Sequence, residues 1–249
     1  MSSRRASSSP ASPSSSVRIL PAGKKLKAKT LIAGFHGIGA TGYWSVKFLI
    51  DEVKAKRVFY IDSEYAPAVS STLNKSISTP YEVYAAGSLA FLKADVPPLR
   101  ENENRFFREL GEWIIGSGVD EVALIGGLDD SLRTDESKYR VVLTDAMAKR
   151  GEMKDEPVLE DGKMIVGPVA LLLNNLQMHD FPAYALLAYS NTDRVDPRAA
   201  ASAAEFMAKR YRLKVSTTPL IQGAEELERE MMGLAQKEKD KGPSSAIYS

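Results

Sequence analysis

The sequence contains no cysteine and only two histidines and two tryptophans in 249 residues. Without thiols it has no disulfide framework, no thiolate metal site and no cysteine nucleophile. It also lacks an excess of either charge, with 33 Lys and Arg against 32 Asp and Glu for a net +1. That balance argues against a phosphate-neutralising surface, so nucleic acid is not an expected partner. No uncharged apolar run reaches the roughly 18 residues of a membrane-spanning helix, so no membrane partner is expected and the expected location is cytoplasmic. There is no G-x-S-x-G elbow, no H-E-x-x-H and no P-loop Lys-Ser/Thr pair. What remains is 44% hydrophobic and 26% charged, the balance of a globular protein long enough for a large core.

The first sixteen residues are mostly serine, with Pro10 and Pro13 and no apolar periodicity. Such a stretch cannot bury enough surface to offset its ordering entropy, and residues 1–16 read as a disordered arm. From Val17 onward strands and helices alternate. Thr30–Phe35 reads as a buried strand and 40–54 as a helix with Trp44, Phe48, Leu49 and Val53 on one face. Arg57–Ile61 is a second strand, ending at Asp62. Tyr81–Ala85 and Leu89–Leu92 read as a hairpin turning at Gly87-Ser88. A helix over 104–115, a strand over 121–125, a strand over 140–143, a helix from Pro168 to Met178 and a strand over 184–189 follow. Asp196-Pro197 opens a further helix to Tyr211, Asp as cap and Pro in the first turn. The alternation predicts helices on both faces of a sheet over residues 17–218. A last helix is expected within 219–241, with Ala224, Leu227, Met231 and Leu234 at coiled-coil-like intervals, and a flexible tail over 242–249.

Three places carry candidate chemistry. Gly37-x-Gly39-x-x-Gly42 lies between a strand and a helix, and Asp62 ends the next strand. This layout matches a dinucleotide-binding unit, in which glycines admit a pyrophosphate and the acid holds a ribose. The alternative is a tight strand-to-helix turn, and no second crossover helix is legible after Asp62. His36 in the loop is a possible acid or base, while His179 falls at a helix end, where a positive charge suits the dipole. Asp129-Asp130 fall just past a strand's carboxyl end, where α/β proteins often place ligand sites. With no partner histidine, a solvated turn is the plainer reading, and neither a metal nor a catalytic set is expected.

The last three residues, Ile247-Tyr248-Ser249, form a hydrophobic-tyrosine-any tripeptide. A terminal carboxylate can pair with a lysine while the ring and the aliphatic side chain fill a neighbouring slot. Each such burial contributes roughly 1.5–3 kcal/mol before ordering costs. Several tails on one oligomer reinforce each other through effective concentration.

The segment from Leu31 through Phe35-His36-Gly37-Ile38-Gly39 to Phe48-Leu49-Ile50 resembles the opening motif of the proteasome assembly chaperone family. Glu121–Gly127 resembles that family's second glycine-flanked strand, and Gly167–Leu173 the helix start after it. The likeness spans roughly residues 29 to 215. It implies a three-layer α/β/α sandwich with a mixed, mainly parallel central sheet, related to nucleoside phosphorylases but without their catalytic residues. It also implies a non-enzymatic, cofactor-free homo-oligomer, a tetramer or pentamer, acting without ATP on the proteasome core particle. Ile247, Tyr248 and Ser249 match the family ending that docks between the core particle's α subunits. The sequence departs from the family's pattern at His36 and in the serine-rich arm.

Overall fold

The computed structural model describes residues 16–223, residue 74 excepted. The arm expected over 1–16, save Ser16, and the sequence from 224 onward lie outside the described residues; 218–223 are helical where the description stops. Ten strands and five α-helices are present among the described residues: β1 Val17–Leu20, β2 Thr30–Gly34, α1 Thr41–Glu52, β3 Lys56–Ser63, β4 Ser71–Leu73, β5 Ser76–Ser78, β6 Tyr81–Ala86, β7 Leu89–Ala94, α2 Glu103–Gly116, β8 Glu121–Asp129, β9 Tyr139–Leu143, α3 Asp145–Arg150, α4 Gly167–Met178, β10 Ala183–Ser190 and α5 Pro197–Tyr211.

Eight strands make one sheet in the order β1-β3-β6-β7-β2-β8-β10-β9, and β4 and β5 form a separate hairpin. The centre, β7-β2-β8-β10, is parallel throughout, and every pairing outside it is antiparallel. The sheet is therefore mixed, with its parallel strands in the middle.

Those central strands need two apolar faces, and they have them. Alternate residues point to opposite sides. Leu31, Ala33, Val122, Leu124, Ala185 and Leu187 pack with α2 and α4, through Phe106, Phe107, Leu110, Leu172 and Leu176. Ile32, Ala123, Ile125, Tyr184, Leu186 and Ala188 pack on the other side with α1 and α5, through Val46, Leu49, Ala203, Ala204 and Met207. The result is helices, sheet, helices. β10 is buried at all eight positions, which explains a strand sequence with no polar face.

Trp44 does not belong to the buried face of α1. It stays at the surface, and the buried residues are Thr41, Gly42, Ser45, Val46, Phe48, Leu49 and Ile50. The face turns because the first turn of α1 lies against the sheet's carboxyl edge through glycine, threonine and serine rather than through large side chains.

Candidate functional site at the carboxyl edge of the sheet

The glycine loop leaves β2 at Gly34 and enters α1 at Thr41 through a short 3-10 turn at Ile38–Ala40. Each glycine can be read by what a Cβ would meet. At Gly34 it would fall 2.1 Å from the Gly42 carbonyl oxygen, and at Gly42 2.2 Å from the Ile125 carbonyl oxygen. At Gly39, where φ is +60°, it would fall 1.9 Å from Ser190 Oγ. These glycines let the start of α1 sit backbone against backbone on β2 and β8. Thr41 Oγ1 bonds Ser190 Oγ at 3.1 Å, and the Gly39 carbonyl accepts the Asp196 N–H at 2.9 Å. The turn is thus riveted to the end of β10 and the start of α5. Gly37 differs, with nothing near its absent Cβ.

β2 sends the chain through α1 toward the β3 side, while β8 sends it toward β9 and β10. Their carboxyl ends form the switch point where open α/β sheets leave a crevice. An apolar cleft of about 230 Å³ lies there, lined by Phe35, His36, Ile38, Gly127, Val166 and Pro168 among others.

Asp62 does not join the loop. β3 is separated from β2 by β6 and β7, about 14 Å away at normal strand spacing. Asp62 pairs instead with Arg18 on the neighbouring edge strand. Between β3 and β6 the chain makes the β4–β5 hairpin, not a crossover helix. Gly37, Gly39, Gly42 and Asp62 are therefore not gathered as a dinucleotide fingerprint requires, a correction that follows from strand order.

Asp129 is the last residue of β8 rather than a residue past it, and it caps the following turn by accepting the Ser131 N–H at 2.9 Å. Asp130 pairs with Arg133 at 2.8 Å. Among the described residues no group of three or more His, Asp or Glu gathers as a metal site. His179 is the carboxyl cap of α4, its Nδ1 2.8 Å from the Asn175 carbonyl oxygen. Ile247, Tyr248 and Ser249 lie outside the described residues.

His36 stacks on Tyr43, with ring centroids 4.2 Å apart. Desolvation pushes the His36 imidazole below its ordinary value, although Asp95 and the Ala94 backbone pull it up. Burial, reinforced by the Asp95 charge, pushes Tyr43 up to about 12, so its hydroxyl stays a donor to Asp95 Oδ1 at 3.3 Å. Asp95 also takes a bond from Lys93, whose ammonium donates to Ser78 Oγ at 2.8 Å and lies 3.5 Å from Glu82. Glu82 is wholly buried; it accepts from Tyr84 at 2.6 Å, from the Thr79 N–H at 3.0 Å and from Arg57 at 2.9 Å. Burial alone would raise the Glu82 carboxyl, but these bonds and the Lys93 and Arg57 charges hold it below its ordinary value.

Sequence reasoning missed this network. Its signal was available: the two-residue turn at Gly87-Ser88 places Glu82 directly opposite Lys93. Lys93, Asp95, Tyr43 and Tyr84 line a cleft of about 690 Å³ between α1 and the β4–β5 hairpin.

These features define a class, an α/β/α sandwich whose glycine loop serves packing at the switch point of a mixed sheet. The chain belongs to the PAC2 family, whose profile matches residues 31–235. No curated protein is similar enough to count as a match. Among solved structures, Pyrococcus furiosus PbaA, described as an archaeal homologue of proteasome-assembly chaperone, is 23% identical with a TM-score of 0.77, covering 90% of this chain and 94% of its own. Pyrococcus furiosus PbaB, described as an archaeal proteasome activator, is 20% identical with a TM-score of 0.71, covering 89% and 99%. A Mycobacterium tuberculosis proteasome-assembly chaperone homologue is 16% identical with a TM-score of 0.59, covering 88% and 97%. At such identities the likeness shows a shared fold.

Proposed function

We propose that this protein is a non-enzymatic proteasome-binding protein of the assembly-chaperone type, acting as a homo-oligomer and without ATP. The α/β/α body shapes the oligomer, and the sequence after Gly223 presents its last residues to the α subunits of the core particle. Tyr248 is the anchor, Ile247 fills the adjoining apolar slot, and the Ser249 carboxylate pairs with a lysine of the partner. PAC2 membership over residues 31–235 carries the reading, and the proteasome-related descriptions of PbaA and PbaB give it direction. The ending Ile247-Tyr248-Ser249 supplies a chemistry for docking. One tail binds weakly once its ordering cost is met, and several on one oligomer bind together.

Deleting Ile247–Ser249 tests this. Co-purification with the core particle is expected to fall to background while the oligomer keeps its mass. Retained co-purification contradicts the tail as the docking element. The double substitution Ile247→Ala, Tyr248→Ala is expected to behave as the deletion does.

A further inference from the structure

The cleft of about 690 Å³ between α1 and the β4–β5 hairpin has two unlike walls. One is a strip of α1 made by Tyr43, Lys47, Ile50, Asp51 and Lys54, positions that recur on one face of a helix. At 1.5 Å per residue the strip is about 16 Å long. The other wall is β4. Ser71, Thr72 and Leu73 all line the cleft, whereas β5 contributes only Ser78. Successive strand residues point to opposite faces, so a cleft that touches three in a row runs along the strand's edge.

That edge is open, because β4 pairs with β5 alone among the described residues. Leu73 and Ser76 flank a two-residue connection, which makes them a pair exchanging both hydrogen bonds. Such pairs alternate along an antiparallel ladder, so the next pair, Thr72 and Ile77, exchanges none. The Thr72 N–H and carbonyl therefore point away from β5, and neither bonds any other described residue.

The charges of the cleft divide in the same way. At its floor Lys93 is already paired with Glu82 and Asp95. On α1, Lys47, Asp51 and Lys54 make no ion pair and no side-chain hydrogen bond among the described residues. Lys47 leans over the Tyr43 and Trp44 rings, at 5.9 and 5.0 Å, which leaves its N–H donors unused. Desolvation raises the Asp51 carboxyl against the pull of the Lys47 and Lys93 charges, so a donor brought into the cleft would stabilise the carboxylate. Along the helix the free charges run positive, negative, positive, at steps of about 6 and 4.5 Å.

We infer that this cleft is a docking groove for an extended segment of a partner protein, which adds to the open edge of β4 and sets acidic, basic and acidic side chains, on alternate residues, against Lys47, Asp51 and Lys54. Alternate residues of a strand stand about 6.6 Å apart, close to the spacing of the charges on α1. A groove of this length takes about five extended residues. In strand addition the main-chain bonds supply affinity and the alternate side chains supply specificity. The inference uses none of the tail residues, so it stands or falls separately from proteasome docking.

Fluorescence anisotropy of the full chain with a labelled, end-blocked peptide, Glu-Val-Lys-Val-Glu, tests it. Saturable binding is expected at or below millimolar concentration. The inverted peptide Lys-Val-Glu-Val-Lys should bind at least about tenfold more weakly, since three attractions become repulsions. Thr72→Pro removes the outward N–H and should weaken binding at least about tenfold. Ile77→Pro makes the same change on the far edge of the hairpin and should leave affinity within about twofold. The triple reversal Lys47→Glu, Asp51→Lys, Lys54→Glu leaves the hairpin untouched and should exchange the preference between the two peptides. The inference is overturned if neither peptide saturates at millimolar concentration, which would leave the groove to the chain's own segments or to a second copy. It is equally overturned if the two proline variants lose binding alike, or if the triple reversal leaves the preference unchanged.

Discussion

Gly37, Gly39 and Gly42 share one loop but differ in what a methyl group would meet. At Gly42 a Cβ would strike the Ile125 carbonyl oxygen and come within 2.9 Å of the Phe35 nitrogen, both backbone atoms that cannot move aside. Gly42→Ala is therefore expected to destabilise by about 2–3 kcal/mol or more, read as a fall in melting temperature of about 2–4 °C for each kcal/mol. Gly37→Ala meets open space and needs no left-handed backbone, so it should shift stability by no more than about 0.5 kcal/mol. Equal losses at both positions would contradict a packing role for the loop. At Glu82 the expectation is larger and depends on pH. Removing one partner of a buried ion pair costs about 3–5 kcal/mol, so Glu82→Ala should unfold far earlier than the wild type in denaturant. The folded carboxyl sits below its ordinary 4.5. Its contribution is thus present in full above about pH 4.5 and is lost as pH falls through the folded value. Melting temperatures of wild type and Glu82→Gln should therefore converge as pH drops from 7 toward 3. A gap that stays constant across that range would contradict the ionised, paired carboxylate. At this scale the sequence was legible for turn residues. It was not legible for Asp62, because chain order does not fix which strands become neighbours.

Helix α5 shows how an element is specified and how much of it can be read in advance. Asp196 caps it, Pro197 takes its first position, and alanines at 199, 200, 203 and 204 let it lie close to the sheet and to α1. Asp196→Ala removes three accepted N–H bonds at once and should cost about 1–2 kcal/mol, whereas Asp196→Asn should keep most of the cap. Thermal melts of the two variants check this, and equal losses would mean that the charge rather than the cap geometry matters. The Asp-Pro signal, the unbroken apolar runs of β2, β8 and β10 and the Gly87-Ser88 hairpin were all visible in the sequence. β1, β4, β5 and α3 were not. β4 and β5 bury only Ser78 among the residues described there, and α3 buries Met147 alone, so none carries an apolar period. β1 is a four-residue edge strand whose place is set by its antiparallel partner β3.

On the scale of the whole molecule, the two helical layers enclose the four parallel strands, while β1, β3 and β6 extend the sheet to one side. Val58 and Tyr60 on that extension, and Ile77 on the β4–β5 hairpin, remain at the surface. The layer order followed from the alternation of strands and helices. Beyond the β6–β7 hairpin the antiparallel flank did not, since the pairings of β1 with β3 and of β3 with β6 join distant segments of the chain. The functional account joins this body to the proposed tail. Its claim is that several copies of one chain present their endings together to a larger partner. Native mass spectrometry of the purified protein, alone and mixed with proteasome core particle, tests that claim most directly. The account predicts a defined multimer alone and a complex of multimer plus core particle in the mixture. A single-chain mass, or a mixture whose two components fly apart unchanged, would contradict it.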